Sequence, residues 1–304
     1  AAAIEQLLDR GADVENAATG ETPLSRALDN GHQLAADRLV QHRANLYAED
    51  NNGRSLICRA INSNNMRAVR YLLQVGIDPD RPGSDGATPL TLASALGRSE
   101  LVSDLLHAGA DPKKKDADGA NALHVASEHG ALAILRILSF TGAAVDLSGP
   151  RGQTALHLAC RRGRLDVVEQ LLNSGAKVNV TDDFGFSPLH LAAQADASDV
   201  VARLLSAGAN PDAMSASPMM TPLQAAAEAG ATRSALLLAK GRARLAKSTK
   251  HRREPLLLAI QNNHFNCALA LLEAGAKAPR KSEDVSRVRS HLARVQATYS
   301  RAPE

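Results

Sequence analysis

The chain has 304 residues, of which 44% are hydrophobic and 22% charged, with a formal net charge of +3. These proportions are those of a globular protein, so an intrinsically disordered chain is not expected. Three Tyr, four Phe and no Trp are too few for the sandwiches, barrels and RNA-binding sheets that rely on aromatic side chains. A core of Leu, Ala and Val instead favours small helices that pack closely.

The sequence predicts neither export nor insertion into a membrane. No stretch approaches the roughly 18 apolar residues that span a bilayer. The first segment, AAAIEQLLDRGAD, has acidic residues where a secretory signal has basic ones. Cys58, Cys160 and Cys267 cannot all pair and lie too far apart for a disulfide framework. We therefore expect a cytoplasmic protein.

The first predicted element is the second helix of a half repeat. Ile4, Leu7 and Leu8 form an apolar stripe that Gly11 ends, which matches the closing helix of each later unit. The chain is therefore expected to start inside a repeat.

A 33-residue period then organises most of the chain. One series of glycines marks a turn in each unit, and the turn recurs near Met219 and Arg252 after a one-residue insertion. A second series closes each unit. The turn glycines are Gly20, Gly53, Gly86, Gly119, Gly152 and Gly185, and the closing glycines are Gly76, Gly109, Gly142, Gly175, Gly208, Gly241 and Gly275.

Each unit predicts a turn followed by two helices. The turn at 182–185 ends in Gly185, since Gly accepts a left-handed backbone. Ser187 caps the first helix and Pro188 takes its first position, where a missing N–H costs nothing. The second helix, such as 165–172, is apolar at helical spacing and is followed by Gly175. One unit cannot bury its apolar stripe alone, so the units must stack.

The segments DFGFSPLHLAA, DVVARLLSAGANPD and RGQTALHLACRRGRLDVVEQLLNSGAKVNV resemble ankyrin repeats. The resemblance covers residues 1–279 and implies an all-α fold. That fold is a single elongated α-solenoid of about eight helix-turn-helix units with β-turn fingers. At 280–304, Val285, Val288, Leu292 and Val295 form one apolar stripe. This pattern predicts a C-terminal capping helix and tail.

No pattern in the sequence predicts catalysis, a cofactor or a metal site. His124, His157 and His190 recur one repeat apart, so they cannot converge on one ion, and the resemblance implies a structural role. The three cysteines fall on core helix positions. Most acidic residues fall in turns or at helix starts, where they are expected to be solvated; the turn positions include Asp116, Asp118, Asp182 and Asp183. We therefore expect a protein that is not an enzyme.

Binding residues are expected on the fingers and at the ends of the first helices, the contact positions that the resemblance implies. Exposed aromatic, Met and Arg side chains are enriched in interface cores. Phe184 and Phe186 share one finger, and the alternative is that they pack on the neighbouring finger. The candidate partner-binding residues are Arg151, Arg161, Arg162, Phe184, Phe186, Met219 and Met220.

Charge is distributed unevenly along the chain. Residues 1–50 carry nine acids and four arginines, a local charge of −5, whereas residues 240–304 carry a local +9. Within the basic region, Lys250, Arg252 and Arg253 are candidate contacts. Such a run fits a solvated face, an acidic protein partner or an anionic membrane surface. Nucleic acid is less favoured because stacking aromatics are missing from the run.

The segments NNGRSLICRAINSNNMRAVRYLL and STKHRREPLLLAIQNNH resemble repeats of rabankyrin-type endosomal trafficking proteins. This second resemblance implies membrane-traffic partners and an endosomal location. The main hypothesis is a monomeric scaffold or adaptor that binds an acidic and apolar protein or peptide. The alternatives are docking of the basic C-terminal surface on anionic lipid or nucleic acid, and a structural spacer within a larger protein.

Overall fold

A computed structural model describes residues 2–16, 21–241, 243, 254–277, 286 and 290. It divides the chain into two compact units, Ala1–Ala144 (unit 1) and Val145–Glu304 (unit 2). Seventeen α-helices occur in the described ranges, which otherwise contain one short 3-10 turn and one isolated bridge between Glu49 and Ser55. The predicted all-α class is confirmed. The single domain over residues 1–279 stays a prediction.

Unit 1 contains one leading helix and four helix pairs. The leading helix is α1 (Ala2–Asp9), and it packs against α3, as a second helix of a preceding repeat would. The pairs are α2 (Pro23–Asp29) with α3 (Gln33–Gln41), α4 (Leu56–Asn62) with α5 (Met66–Gln74), α6 (Pro89–Ala95) with α7 (Ser99–His107), and α8 (Ala122–His129) with α9 (Leu132–Phe140).

Unit 2 repeats the same plan after a 3-10 turn at Pro150–Gly152. Its pairs are α10 (Ala155–Arg161) with α11 (Leu165–Asn173), α12 (Pro188–Gln194) with α13 (Ser198–Ser206), α14 (Pro222–Ala229) with α15 (Thr232–Lys240), and α16 (Pro255–Gln261) with α17 (Phe265–Glu273). The second helix predicted at 165–172 thus extends one residue further, to Asn173.

Sequence signals at the helix starts explain why these short segments are helical. The Thr22, Ser55 and Thr88 hydroxyls accept hydrogen bonds from backbone N–H groups in the first turn of their helices. Pro occupies the first turn of several first helices, where its ring fits the required backbone angle. Helices this short are marginal alone, so packing must supply most of their stability.

The core of each unit lies between stacked helix pairs. First helices pack on first helices, as in α10, α12, α14 and α16, and second helices pack on second helices. Ala192 and Ala193 in α12 are completely buried, and so are Val167, Val168 and Leu171 in α11. Small and branched side chains allow this close stacking, which accounts for the aromatic poverty of the sequence. The predicted turns at Gly20 and Arg252 lie outside the described residues, as does the predicted capping helix, apart from helical Ser286 and Ser290.

Candidate protein-binding surface

Three neighbouring fingers of unit 2 carry five of the ten predicted binding residues. Each finger is closed by a backbone hydrogen bond: Gly149 N to Gln153 O (2.8 Å), Asp182 N to Phe186 O (2.9 Å), and Ser215 N to Met220 O (2.9 Å). We call them fingers five, six and seven, after their repeats. Adjacent fingers are also linked, since Asp183 N donates to Arg151 O (3.1 Å) and Ala216 N donates to Phe184 O (2.8 Å). The backbone is therefore held from finger to finger.

A buried carboxylate organises finger six. Asp182 is only 7% exposed, and its Oδ1 accepts the N–H groups of Phe184 (3.0 Å) and Phe186 (2.9 Å). Its Oδ2 accepts from Gln153 Nε2 (3.1 Å), and Gln153 Oε1 accepts from Arg161 Nη1 (3.2 Å). The expectation that Asp182 is a solvated turn residue is therefore wrong, because the carboxylate saturates backbone donors that face the finger's interior.

The two phenylalanines of finger six have different environments. Phe184 is 48% exposed. Phe186 is half-buried and meets the His190 ring edge-on, with ring centroids 5.4 Å apart. The aromatic side chain that finger six offers to solvent is therefore Phe184, and Phe186 belongs in part to the fold.

The two methionines of finger seven also separate. Met219 is 46% exposed, whereas Met220 is 1% exposed and its carbonyl accepts from His190 Nε2 (3.0 Å). Met220 stands directly before the helix-capping Thr221, the register that Phe186 and Gln153 occupy in their own repeats. Residues in this register turn inward, so Met220 is a core residue and leaves the set of binding candidates.

The three arginines lie around finger five and the end of α10. Arg151 is exposed at the fingertip with a φ of +58°. Arg162 is exposed as the C-cap of α10, and Arg161 is half-buried against Gln153. We define the finger surface as Arg151, Arg161, Arg162, Phe184 and Met219, a group that combines positive charge with apolar area.

The histidines at the starts of the first helices hold the fingers in place. His157 Nδ1 accepts from Thr154 N (3.1 Å), and its Nε2 donates to Phe186 O (3.0 Å). His190 repeats the arrangement with Ser187 N (3.1 Å) and Met220 O (3.0 Å). Since Nδ1 accepts and Nε2 donates, both rings must be neutral with the proton on Nε2. Burial lowers the pKa of His157 and lowers the pKa of His190 to about 4.

We expect acid to destabilise unit 2 through these histidines. Between the ordinary histidine pKa of 6.5 and a folded value of about 4, the unfolded chain binds a proton that the native His190 does not. Stability is therefore complete above pH 6.5 and falls as the pH drops, by about 2 kcal/mol at pH 5 for His190, with His157 adding to it.

Urea denaturation followed by circular dichroism at pH 7 and pH 5 measures this loss. The matched control is His157→Gln with His190→Gln, because Gln224 already serves at this position, accepting from Thr221 N at 2.7 Å. If the double variant loses as much stability at pH 5 as the parent chain, these two rings are not responsible.

The three cysteines of the described ranges are core residues. Cys58, Cys160 and Cys267 are buried free thiols. Burial raises the pKa of all three, that of Cys267 to about 11, so they remain protonated and weakly nucleophilic. Within the part of the chain that the structure covers, no three His, Cys, Asp or Glu side chains converge on a possible metal position. No described helix is long and apolar enough to cross a membrane.

The comparison with known families decides the classification. The family described as "Ankyrin repeats (3 copies)" matches residues 1–83, 35–116, 80–149, 123–215 and 189–282. The chain belongs to the ankyrin-repeat family. Ankyrin repeats generally act as protein–protein interaction modules and are typically non-catalytic. No curated protein gives a significant match to the chain.

Lys250, Arg252 and Arg253 lie outside the described residues, so their role stays a prediction. Asp182 was not among the candidate residues, although it supports the finger surface through Gln153. A sequence signal existed for Asp182, since Asp also stands three residues before the turn glycine at Asp50 and Asp116, where Oδ1 accepts backbone N–H groups of the same finger.

Proposed function

We propose that unit 2 is a recognition module for a protein segment that is both acidic and apolar, bound across fingers five to seven. The observation that carries this proposal is the pair of exposed side chains Phe184 and Met219 on adjacent fingers. Exposed apolar side chains on neighbouring elements mark interaction surfaces more often than scattered ones do, and Phe and Met are typical of interface cores.

The arginines of the finger surface indicate that the proposed partner is acidic. Arg151 and Arg162 are exposed, and Arg161 is oriented by Gln153 and hence by Asp182. Guanidinium groups bind carboxylates with a defined geometry, so acidic residues of the partner should set the register of binding. The fingers are already fixed by inter-finger hydrogen bonds, so little conformational freedom is lost on binding.

This activity is that of an adaptor or scaffold without chemistry of its own. The resemblance to rabankyrin-type proteins supports an adaptor in membrane traffic, working in the cytoplasm as a monomer. The fold alone does not choose among partners, because ankyrin arrays present one scaffold to many of them.

A peptide library tests the proposal whatever the natural partner is. Random peptides displayed on phage are selected on the full chain, and the enriched sequences are expected to combine acidic residues with aromatic or aliphatic ones. Phe184→Ala should weaken their binding by about 2 kcal/mol, which is roughly 30-fold in Kd.

Phe140 provides the matched control, since it is 90% exposed on the last turn of α9 in unit 1. Phe140→Ala removes more exposed aromatic area than Phe184→Ala does and should leave the affinity unchanged. Equal effects of the two substitutions, or enrichment of basic peptides, would contradict the proposed function.

A further inference from the structure

A second candidate site lies in unit 1, in a cavity of about 130 Å³ that opens beside Tyr71. Most of its wall is apolar, because Ala27, Leu28, Ala68 and Tyr71 are buried. The volume approaches the ~150 Å³ of an engineered apolar cavity that takes up benzene. The complete lining is Ala27, Leu28, Gly31, Gln33, Arg67, Ala68 and Tyr71.

The repeat register explains why space is left here. Ala68 in α5 occupies a buried position of the second helix. At the same position, one repeat apart each time, the next four second helices bury larger side chains, namely Leu101, Ile134, Val167 and Val200. The cavity therefore follows from a small residue where a branched one would fill the layer.

The lining of this cavity includes one positively charged side chain, that of Arg67. Three arginines lie on α3 and α5: Arg38 pairs with Glu5 at 3.5 Å, and Arg70 pairs with Asp104 at 2.8 Å. Arg67 is exposed and has no ion pair within the described ranges. Tyr71 also lines the cavity. Burial and the nearby Asp37 raise the pKa of its hydroxyl, so the side chain stays uncharged. Arg67 is thus the charged group available to a ligand.

The apolar surface continues outside the cavity. Leu34 directly follows Gln33 in α3 and is 71% exposed. The equivalent residues of later second helices include Glu100 and Asp166, which are polar as such a position requires. A free small molecule would fill the cavity alone, whereas a protein segment would also cover Leu34.

We propose that this site anchors one aromatic or branched aliphatic side chain of a partner protein, with a carboxylate one or two residues away that pairs with Arg67. The anchor fills the cavity between Leu28, Ala68 and the Tyr71 ring. The rest of the segment lies over Leu34. This site is independent of the finger surface in unit 2.

Three probes distinguish the possible ligands on the full chain labelled at Ala and Leu methyl groups. The acidic peptide acetyl-Gly-Phe-Asp-Glu-amide should produce saturable chemical-shift changes at Ala27, Leu28 and Ala68. The basic peptide acetyl-Gly-Phe-Lys-Lys-amide should bind about tenfold more weakly because it lacks the pairing carboxylate. Phenylacetate should bind more weakly than the acidic peptide, since it does not reach Leu34.

Two substitutions test the assignment. Ala68→Leu fills the cavity with the residue that Leu101 already supplies one repeat later, so it should abolish the shifts while the helical circular dichroism is kept. Arg67→Glu changes an exposed residue and should reverse the preference between the acidic and basic peptides. Phe184→Ala should leave this binding unchanged, which separates it from the function proposed for unit 2.

The proposal is overturned if Ala68→Leu binds the acidic peptide as well as the parent chain does, or if millimolar peptide shifts none of the three methyl groups. Unchanged peptide preference in Arg67→Glu would remove the carboxylate from the proposal even where Ala68→Leu does not fold. If phenylacetate binds as tightly as the peptide, the site takes a small acid, and the protein-segment assignment is wrong.

Discussion

Asp182→Ala is expected to lower the free energy of unfolding by about 3 kcal/mol, since a buried donor left without its acceptor costs about 1–3 kcal/mol. Three donors lose the Asp182 carboxylate at once: Phe184 N, Phe186 N and Gln153 Nε2. Gln153 is itself 7% exposed, so water does not readily replace the carboxylate. Urea denaturation followed by circular dichroism measures the change, since the chain has no Trp to report it by fluorescence.

Asp183→Ala is the matched control for Asp182. It removes the same group from the next residue, but Asp183 is exposed, and its contribution to the finger ladder is the backbone N–H to Arg151 O. Its cost should stay within about 0.5 kcal/mol, as for ordinary surface substitutions. Similar losses in the two variants would show that the buried carboxylate does not organise finger six.

Gly185→Ala is expected to destabilise unit 2 by about 3 kcal/mol, combining left-handed backbone strain with overpacking. Gly185 has a φ of +78°, and a Cβ built on it would lie 2.4 Å from Ala216 N. That nitrogen donates to Phe184 O, so the clash falls on the hydrogen bond that joins fingers six and seven. The same denaturation experiment gives the free-energy change.

Gly208→Ala separates the two causes of that loss. Gly208 has a φ of +88°, but a Cβ there would meet no atom within 4 Å. This variant should show the strain alone, about 1–2 kcal/mol. Losses of equal size at Gly185 and Gly208 would mean that the close approach of the fingers does not contribute.

Much of the fold could be predicted because each signal recurs in most of the repeats. The spacing between turn glycines and closing glycines locates each helix pair, and residues such as Ser187 and Pro188 mark where the first helices begin. The second helix that follows Arg164 was predicted to within one residue of its end. These features depend on local backbone preferences, which follow from the residue types at the helix ends.

The inward or outward direction of finger residues could not be predicted in the same way. Phe186 and Met220 are apolar like Phe184 and Met219, but they stand directly before the capping residue. The Phe186 ring meets the His190 ring, and the Met220 side chain is buried. Asp182 is buried because donors from finger six and from Gln153 meet at one point. Such convergence comes from the stacking of repeats, which a linear pattern does not contain. The sequence shows that Ala68 stands where the next four repeats carry a larger residue, but it does not show the cavity that results.

Binding of an acidic and apolar segment to the finger surface of unit 2 should protect that surface from solvent. Hydrogen exchange of the full chain with and without a library-selected peptide measures this protection. Protection is expected in fingers six and seven, around Phe184 and Ala216, with no change in α9, which carries the exposed Phe140. Protection confined to the second helices of unit 2, or to unit 1, would contradict binding at the finger surface.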